Sequence, residues 1–84
     1  MHRYLVLLMR RPQCDPAIVP LHREFLETLR AQGRNELSGP FGDKSGGAYL
    51  LRAESLDEAC AIAHGDPAYA SGGWDITLHE WHAA

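Results

Sequence analysis

Three polar residues of this 84-residue chain are candidates for acid/base chemistry: His22, Ser38 and Asp66. Histidine takes up and releases a proton near neutral pH, and a neighbouring carboxylate fixes its tautomer and raises its basicity. A serine hydroxyl can donate a hydrogen bond to a substrate oxygen. The three together would suit proton abstraction from a small molecule, with His22 as general base or acid, Asp66 orienting it and Ser38 binding the substrate.

Each candidate also has a structural interpretation. His22 lies within the apolar stripe of a predicted helix, where a backbone carbonyl could satisfy its ring. Asp66 precedes Pro67, and aspartate before proline commonly caps a short helical turn. Ser38 precedes Gly39-Pro40, a setting typical of a turn serine. Taken singly, the spacing of these residues favours the structural roles.

Hydrophobic periodicity predicts four strands and two helices around these candidates. We expect the strands over 3–9, 35–38, 47–52 and 74–81, and the helices over about 18–32 and 55–65. Gly33 would cap the first helix in a left-handed conformation, and Ser55 and Glu58 have the spacing of a capping box for the second. Residues 66–73 form a loop with a short helical turn in this interpretation.

The order βαββαβ is the ferredoxin-like pattern, an α+β fold with both helices on one face of a four-stranded antiparallel sheet. The length suits a single domain over residues 1–84. Two helices leave the second sheet face uncovered, yet the first strand is apolar on both faces. The third strand offers either Tyr49 and Leu51 or Ala48 and Leu50, and the last strand adds a tryptophan to each face. We therefore expect a homodimer through this sheet face; a monomer with a partly apolar open face is the alternative.

Charge, cysteine content and motifs indicate which kinds of binding partner and which cell compartment we expect. The net charge is −3, the basic side chains form no stripe, and we interpret the arginines at 10, 11, 23, 30 and 34 as solvated faces, so we expect no nucleic-acid binding. Two cysteines without metal-type spacing, and the lack of a long apolar run, predict a cytoplasmic protein without a signal peptide or a membrane span.

His79 and His82 would fall on opposite strand faces, so we expect no metal site. No phosphate-binding or dinucleotide motif is present, and we expect no cofactor.

Taken together, the chain resembles the YciI-like (YCII-related) proteins over nearly its whole length. The resemblance rests on Leu21-His22 followed by Phe25-Leu26 and Leu29, on Leu37-Ser38-Gly39-Pro40, on Gly46-Gly47 leading into Tyr49-Leu50-Leu51, on Ser55-Leu56-Asp57-Glu58-Ala59, on Asp66-Pro67 and on Trp81. The segment Ser38-Gly39-Pro40-Phe41 also looks like the Gly-Pro-Phe loop of the sister DGPF-type proteins. Family members often carry an arginine a few residues before the helix histidine, where this chain has Val19.

The resemblance implies a dimeric α+β barrel in which His22 and Asp66 meet in a pocket as a catalytic dyad. It also implies a cofactor-free enzyme that acts on a small aromatic or lactone-type molecule, and we expect isomerisation or elimination. Tyr49 and Trp74 are candidates for the pocket wall, and the residues we expect to bind the substrate are Ser38, Gly39, Pro40 and Phe41. A non-enzymatic small-molecule-binding module and an accessory dimerisation domain are the alternatives.

Overall fold

The computed structural model describes residues 1–84 and contains the predicted four-stranded antiparallel sheet. The strands are β1 (His2–Arg10), β2 (Asn35–Pro40), β3 (Gly46–Ala53) and β4 (Trp74–Glu80), and the helices are α1 (Val19–Ala31), α2 (Leu56–Ala63) and α3 (Pro67–Ser71), with a short 3-10 helix over Pro16–Ile18. The sheet order is β2-β3-β1-β4, so that β1 and β3 are central. This is the ferredoxin-like α+β arrangement, and the predicted fold class is confirmed. None of the helices combines the length and the apolar character that a membrane span requires.

Local signals set the helix ends as predicted. Gly33 follows α1 with φ of 74°, a left-handed conformation that costs glycine little. The Ser55 hydroxyl oxygen accepts a hydrogen bond from the Glu58 backbone N–H at 3.1 Å and caps α2. The helical turn expected within residues 66–73 is α3, and the Asp66 carboxylate caps it.

The structure extends β2 two residues beyond the predicted end of this strand. We expected Gly39-Pro40 to stop the strand after Ser38, but pairing continues through Gly39 opposite Ala48 and through Pro40 opposite Gly47. Proline is tolerated there because β2 is an edge strand, and the missing N–H of Pro40 removes no bond from a second neighbour. The extension carries β2 along the region where the candidate site lies.

A bulge at the start of β2 changes which side chains face the helices. The register shifts between Asn35, which lies opposite Leu51, and Leu37, which lies opposite Leu50. Regular alternation would place Asn35 and Ser38 on opposite faces because they are three positions apart. With the extra residue, Ser38 pairs with Tyr49 and lies on the helix side together with Asn35.

The two faces of the sheet are both apolar but only one is covered by helices. The core on the covered face combines β1 and β3 side chains with two fully buried alanines of α2, and its members include Tyr4, Val6, Tyr49, Leu51, Ala53, Ala59 and Ala63. The uncovered face carries Leu5, Leu7 and Leu50 at its centre, and the side chains of Leu37 and Trp81 are 71% and 48% exposed. The predicted apolar second face is therefore present.

Candidate functional site

A cavity of 490 Å³ lies between α1 and the sheet. One side of α1 forms a wall with His22, Leu26 and Arg30, which follow one another at helical i, i+4 spacing. Further apolar lining comes from Leu8 and Trp74. A cavity of this size suits a ligand of about one ring with its substituents.

Bare backbone forms the sheet side of the cavity where β3 begins. Gly46 and Gly47 line it, and a Cβ atom at Gly47 would come within 2.8 Å of the Gly39 carbonyl oxygen. A Cβ atom at Gly46 would come within 1.9 Å of the Leu8 carbonyl oxygen. The close approach of three strands thus requires glycine here.

His22 and Asp66 meet across 44 positions of sequence. The Nδ1 atom of His22 lies 2.6 Å from Oδ2 of Asp66. Asp66 is 1% exposed, whereas the His22 side chain is 22% exposed and lines the cavity. The packing of α1 against α3 brings the two together, since α1 carries the histidine and the aspartate is the residue that caps α3.

The hydrogen bonds of Asp66 determine where the His22 proton lies. Oδ1 of Asp66 accepts from the Ala68 backbone N–H at 2.9 Å, so that each carboxylate oxygen has one partner. A carboxylate in its ionised form can only accept, and with Asp66 in that form Nδ1 of His22 carries the hydrogen between the two residues. The remaining ring nitrogen, Nε2, is then the atom of neutral His22 that can accept a proton.

Ser38 lies in the same cavity and its hydroxyl oxygen already accepts two hydrogen bonds. Nη2 of Arg30 donates to it at 3.0 Å and Nδ2 of Asn35 at 3.2 Å. The Asn35 amide is oriented by a further bond from Nδ2 to the Leu26 carbonyl oxygen at 3.3 Å. Both lone pairs of the Ser38 oxygen are therefore engaged, and its own hydrogen has no acceptor in the protein.

The other residues expected at the site divide into two groups. Gly39, Pro40 and Trp74 line the cavity, whereas Phe41 and Tyr49 do not. Phe41 begins the turn after β2, where its backbone N–H pairs with the Gly46 carbonyl oxygen at 2.8 Å.

Tyr49 is buried beneath the dyad and its hydroxyl has no hydrogen-bond partner. Burial, and after it the negative charge of Asp66, raises the pKa of Tyr49 far above its ordinary value. The Tyr49 phenol is therefore neutral at physiological pH.

The sequence reasoning missed Arg10, Arg23 and Arg30 as cavity residues and Asn35 as a partner of Ser38. The α1 lining residues His22, Leu26 and Arg30 do have the spacing of one helix side, and that signal could have identified Arg30. Nothing in the sequence pattern identifies Asn35, because its role depends on the bulge in β2. Nowhere in the structure do three or more His, Cys, Asp or Glu side chains form a group that could hold a metal ion.

Comparison with known proteins agrees with this fold. Residues 2–82 match the family model of the YCII-related domain, and the chain belongs to that family. It is 46% identical over 81 residues to the uncharacterised protein YjpA of Bacillus subtilis, which covers 96% of this chain and 95% of the relative. It is also similar to the 5-chloro-2-hydroxyhydroquinone dehydrochlorinase TftG of Burkholderia phenoliruptrix, solved in complex with 2,5-dihydroxybenzoquinone. That structure has a TM-score of 0.79 at 22% identity, with 98% of this chain and 95% of the other covered, and the likeness is one of fold.

Proposed function

We propose that this protein is a cofactor-free enzyme that performs general acid/base chemistry on a small ring compound, by elimination or isomerisation. The observation that carries the proposal is the contact between His22, which faces a cavity of ring-compound size, and the buried carboxylate of Asp66. A buried carboxylate that orients a histidine at the wall of a cavity is the arrangement expected of a general base and its positioning partner.

In the proposed reaction, Nε2 of His22 removes a proton from a substrate carbon or hydroxyl group. Asp66 offsets the charge of the imidazolium that forms, and the Ser38 hydroxyl donates a hydrogen bond to the substrate. In an elimination the electron pair left by the proton expels a leaving group as an anion. In an isomerisation His22 returns the proton to a different atom of the same molecule.

The similar fold of the dehydrochlorinase supports the elimination variant, because that enzyme's name describes loss of hydrogen chloride from a chlorinated hydroquinone. We therefore propose a turnover screen of chlorinated and unchlorinated hydroquinones together with small lactones. With a substrate in hand, His22→Gln is expected to lower kcat by about 100-fold or more. His64→Gln is the matched control, because His64 is exposed, stacks on Tyr69 and does not line the cavity. Equal rates in wild type and His22→Gln would refute the proposed mechanism.

The dyad can be tested without a substrate by measuring the His22 tautomer by ¹⁵N NMR in wild type and in Asp66→Asn. An amide has one acceptor oxygen, and the Ala68 N–H already requires one. The amide NH₂ group would then face His22, and the proton would move from Nδ1 to Nε2, as happens when the triad aspartate of a serine protease becomes asparagine. We expect the Nδ1–H form in wild type and the Nε2–H form in the variant. The same tautomer in both proteins would leave a binding module without acid/base chemistry as the better interpretation.

We also propose that the protein forms a homodimer through the uncovered sheet face. The support is the central Leu5, Leu7 and Leu50 together with the exposed Leu37, an apolar surface of a kind that monomers seldom leave in water. Leu37→Lys is expected to shift the protein to monomer in analytical ultracentrifugation. Leu56→Lys, at an exposed leucine of α2 away from that face, should leave the dimer intact; a monomeric wild type would refute this part of the proposal.

A cytoplasmic location completes the proposal. It is supported by the two cysteines, Cys14 and Cys60, which are not joined to one another. Cell fractionation of the tagged protein tests it, with recovery outside the cytoplasm as the contrary result.

A further inference from the structure

Three of the arginines that the sequence pattern assigns to solvated faces line the cavity: Arg10, Arg23 and Arg30. Arg10 is the last residue of β1, and the other two lie on the cavity side of α1. All three are solvent-exposed, so their positive charge surrounds the region where the cavity meets water.

Two of these three, Arg10 and Arg23, differ from the arginines elsewhere in the chain, which have carboxylate partners. Arg11 is bound to Asp75, and Arg34 donates to Glu58 at 2.7 Å. Neither Arg10 nor Arg23 has a carboxylate within salt-bridge distance.

One carboxylate, Glu27, lines the cavity with these arginines. It lies 3.6 Å from Nε of Arg30 and is largely exposed. Asp66 is also close and, with Glu27, makes two carboxylates against three guanidinium groups. The lining therefore carries an excess of positive charge that no protein group neutralises, and an excess of this kind favours an anionic ligand.

Ser38 indicates where the negative group of such a ligand would bind. Its oxygen accepts from the charged Arg30 and from Asn35, so its hydrogen must be donated to something outside the protein. A donor hydroxyl polarised by a guanidinium favours an anionic oxygen as its acceptor. The apolar wall of Leu8, Leu26 and Trp74 suits the remainder of a small ring.

We propose that the ligand of this cavity is a monocyclic carboxylate, with the carboxylate bound by Ser38 and the arginines and the ring packed towards His22. This inference rests on the proposed function in that it concerns the same cavity and names the class of its substrate. A carboxylate matches the planar fork of a guanidinium better than a single phenolate oxygen does.

Benzoate and benzamide form the test pair, because they have nearly the same shape and differ in charge. Their dissociation constants are measured by NMR chemical-shift titration of the wild-type protein at low and high salt. We expect benzoate to bind about tenfold more tightly than benzamide at low salt, which corresponds to about one charge-assisted hydrogen bond. Added salt should weaken benzoate binding and leave benzamide unchanged. To distinguish a carboxylate ligand from a phenolate ligand, the dissociation constant of 4-nitrophenolate is also measured. We expect 4-nitrophenolate to bind more weakly than benzoate.

Arg30→Gln is expected to remove most of the preference for benzoate, and Arg10→Gln or Arg23→Gln to lower it by about threefold each. Lys44→Gln is the matched control, since Lys44 carries the same charge in an exposed turn and does not line the cavity. The arginines are exposed, and circular dichroism and thermal unfolding should show unchanged folding in every variant.

Equal affinity for the two probes, absence of benzoate binding at millimolar concentrations, or a loss in Lys44→Gln as large as in Arg30→Gln would overturn the proposal. Tighter binding of 4-nitrophenolate than of benzoate would overturn the assignment to carboxylates. His22→Gln should keep the preference for benzoate. The preference for benzoate tests the ligand class, whereas the His22 tautomer tests the acid/base function. Failure of one proposal can therefore be distinguished from failure of the other.

Discussion

The sheet face beneath the helices has two regions that are built differently. Beneath α2, the side chains of Leu51, Ala59 and Ala63 are fully buried in one cluster. Beneath α1 a cavity remains, and Leu29 is the one buried residue of that helix. Alanines allow α2 to lie close to the sheet, whereas α1 directs long side chains such as His22 and Arg30 into the space between helix and strands.

The difference shows how a domain of 84 residues can hold both a core and a cavity. Small domains have little apolar burial to spare, and a void within the core costs stability. Here the well-packed region stabilises the sheet, and the cavity lies at its other end, where the backbone of Gly46 and Gly47 forms part of the lining and solvent reaches it.

Truncation of a leucine should cost more in the packed region than at the cavity. We expect Leu51→Ala to lower the free energy of unfolding by about 3 kcal/mol, because it leaves a void among fully buried neighbours. Leu26→Ala, at the cavity wall, should cost about 1 kcal/mol, since the space is already open. Urea unfolding monitored by tryptophan fluorescence measures both. Equal losses would mean that the two regions are packed alike.

Larger side chains should also be tolerated less well in the packed region than at the cavity. Ala63→Leu overpacks the contact of α2 with the sheet and should cost about 2 kcal/mol. Val19→Trp adds a ring at the cavity lining and should change stability by less than about 1 kcal/mol while blocking benzoate binding. Thermal unfolding and NMR titration test the pair. A Val19→Trp variant that still bound benzoate normally would show that the ligand does not enter this cavity.

Tyr49 belongs to the buried core and offers a case in which removing a polar atom should not destabilise the protein. Its buried hydroxyl has no protein partner, and Tyr49→Phe is expected to leave the free energy of unfolding unchanged or raise it by about 1 kcal/mol. Tyr4→Phe is the comparison, because the Tyr4 hydroxyl does donate to Glu80, although at 3.5 Å. A loss in Tyr49→Phe greater than in Tyr4→Phe would contradict this account.

The Arg34–Glu58 pair at the start of α2 should make a pH-dependent contribution to the packed region. The hydrogen bond from Arg34 lowers the pKa of Glu58, and the Glu54 backbone N–H adds to the effect. A lowered pKa in the folded state stabilises the protein above the ordinary glutamate pKa, and this contribution disappears as the pH falls through the lowered value.

Arg34→Gln should therefore lower the urea midpoint near neutral pH, and the difference from wild type should shrink as the pH falls below the ordinary glutamate pKa. Arg3→Gln is the control, because Glu36 keeps a second arginine, Arg52, at 3.4 Å. A deficit of Arg34→Gln that persisted unchanged in acid would show that packing of the side chain, and not its charge, matters.

Much of the fold followed from the sequence because its signals are local. Alternating apolar residues identified the strands, and Gly33 and the Ser55–Glu58 capping box marked helix ends within one or two positions. The end of β2 was wrong because a proline breaks a strand only where its N–H would be needed, and that depends on whether the strand is at an edge.

The sequence also identified His22, Ser38 and Asp66 as candidate site residues, because each lies in a motif of the YciI-like pattern. The order of elements and the alternation of side chains along β1, β3 and β4 thus follow from the sequence alone, because these depend on chain geometry over a few residues. Three features depend on the folded structure: His22 lies 2.6 Å from Asp66, a bulge turns Ser38 towards the cavity, and Arg30 reaches the Ser38 hydroxyl. Those contacts join elements far apart in the chain, and they depend on register and helix packing, which no local pattern encodes.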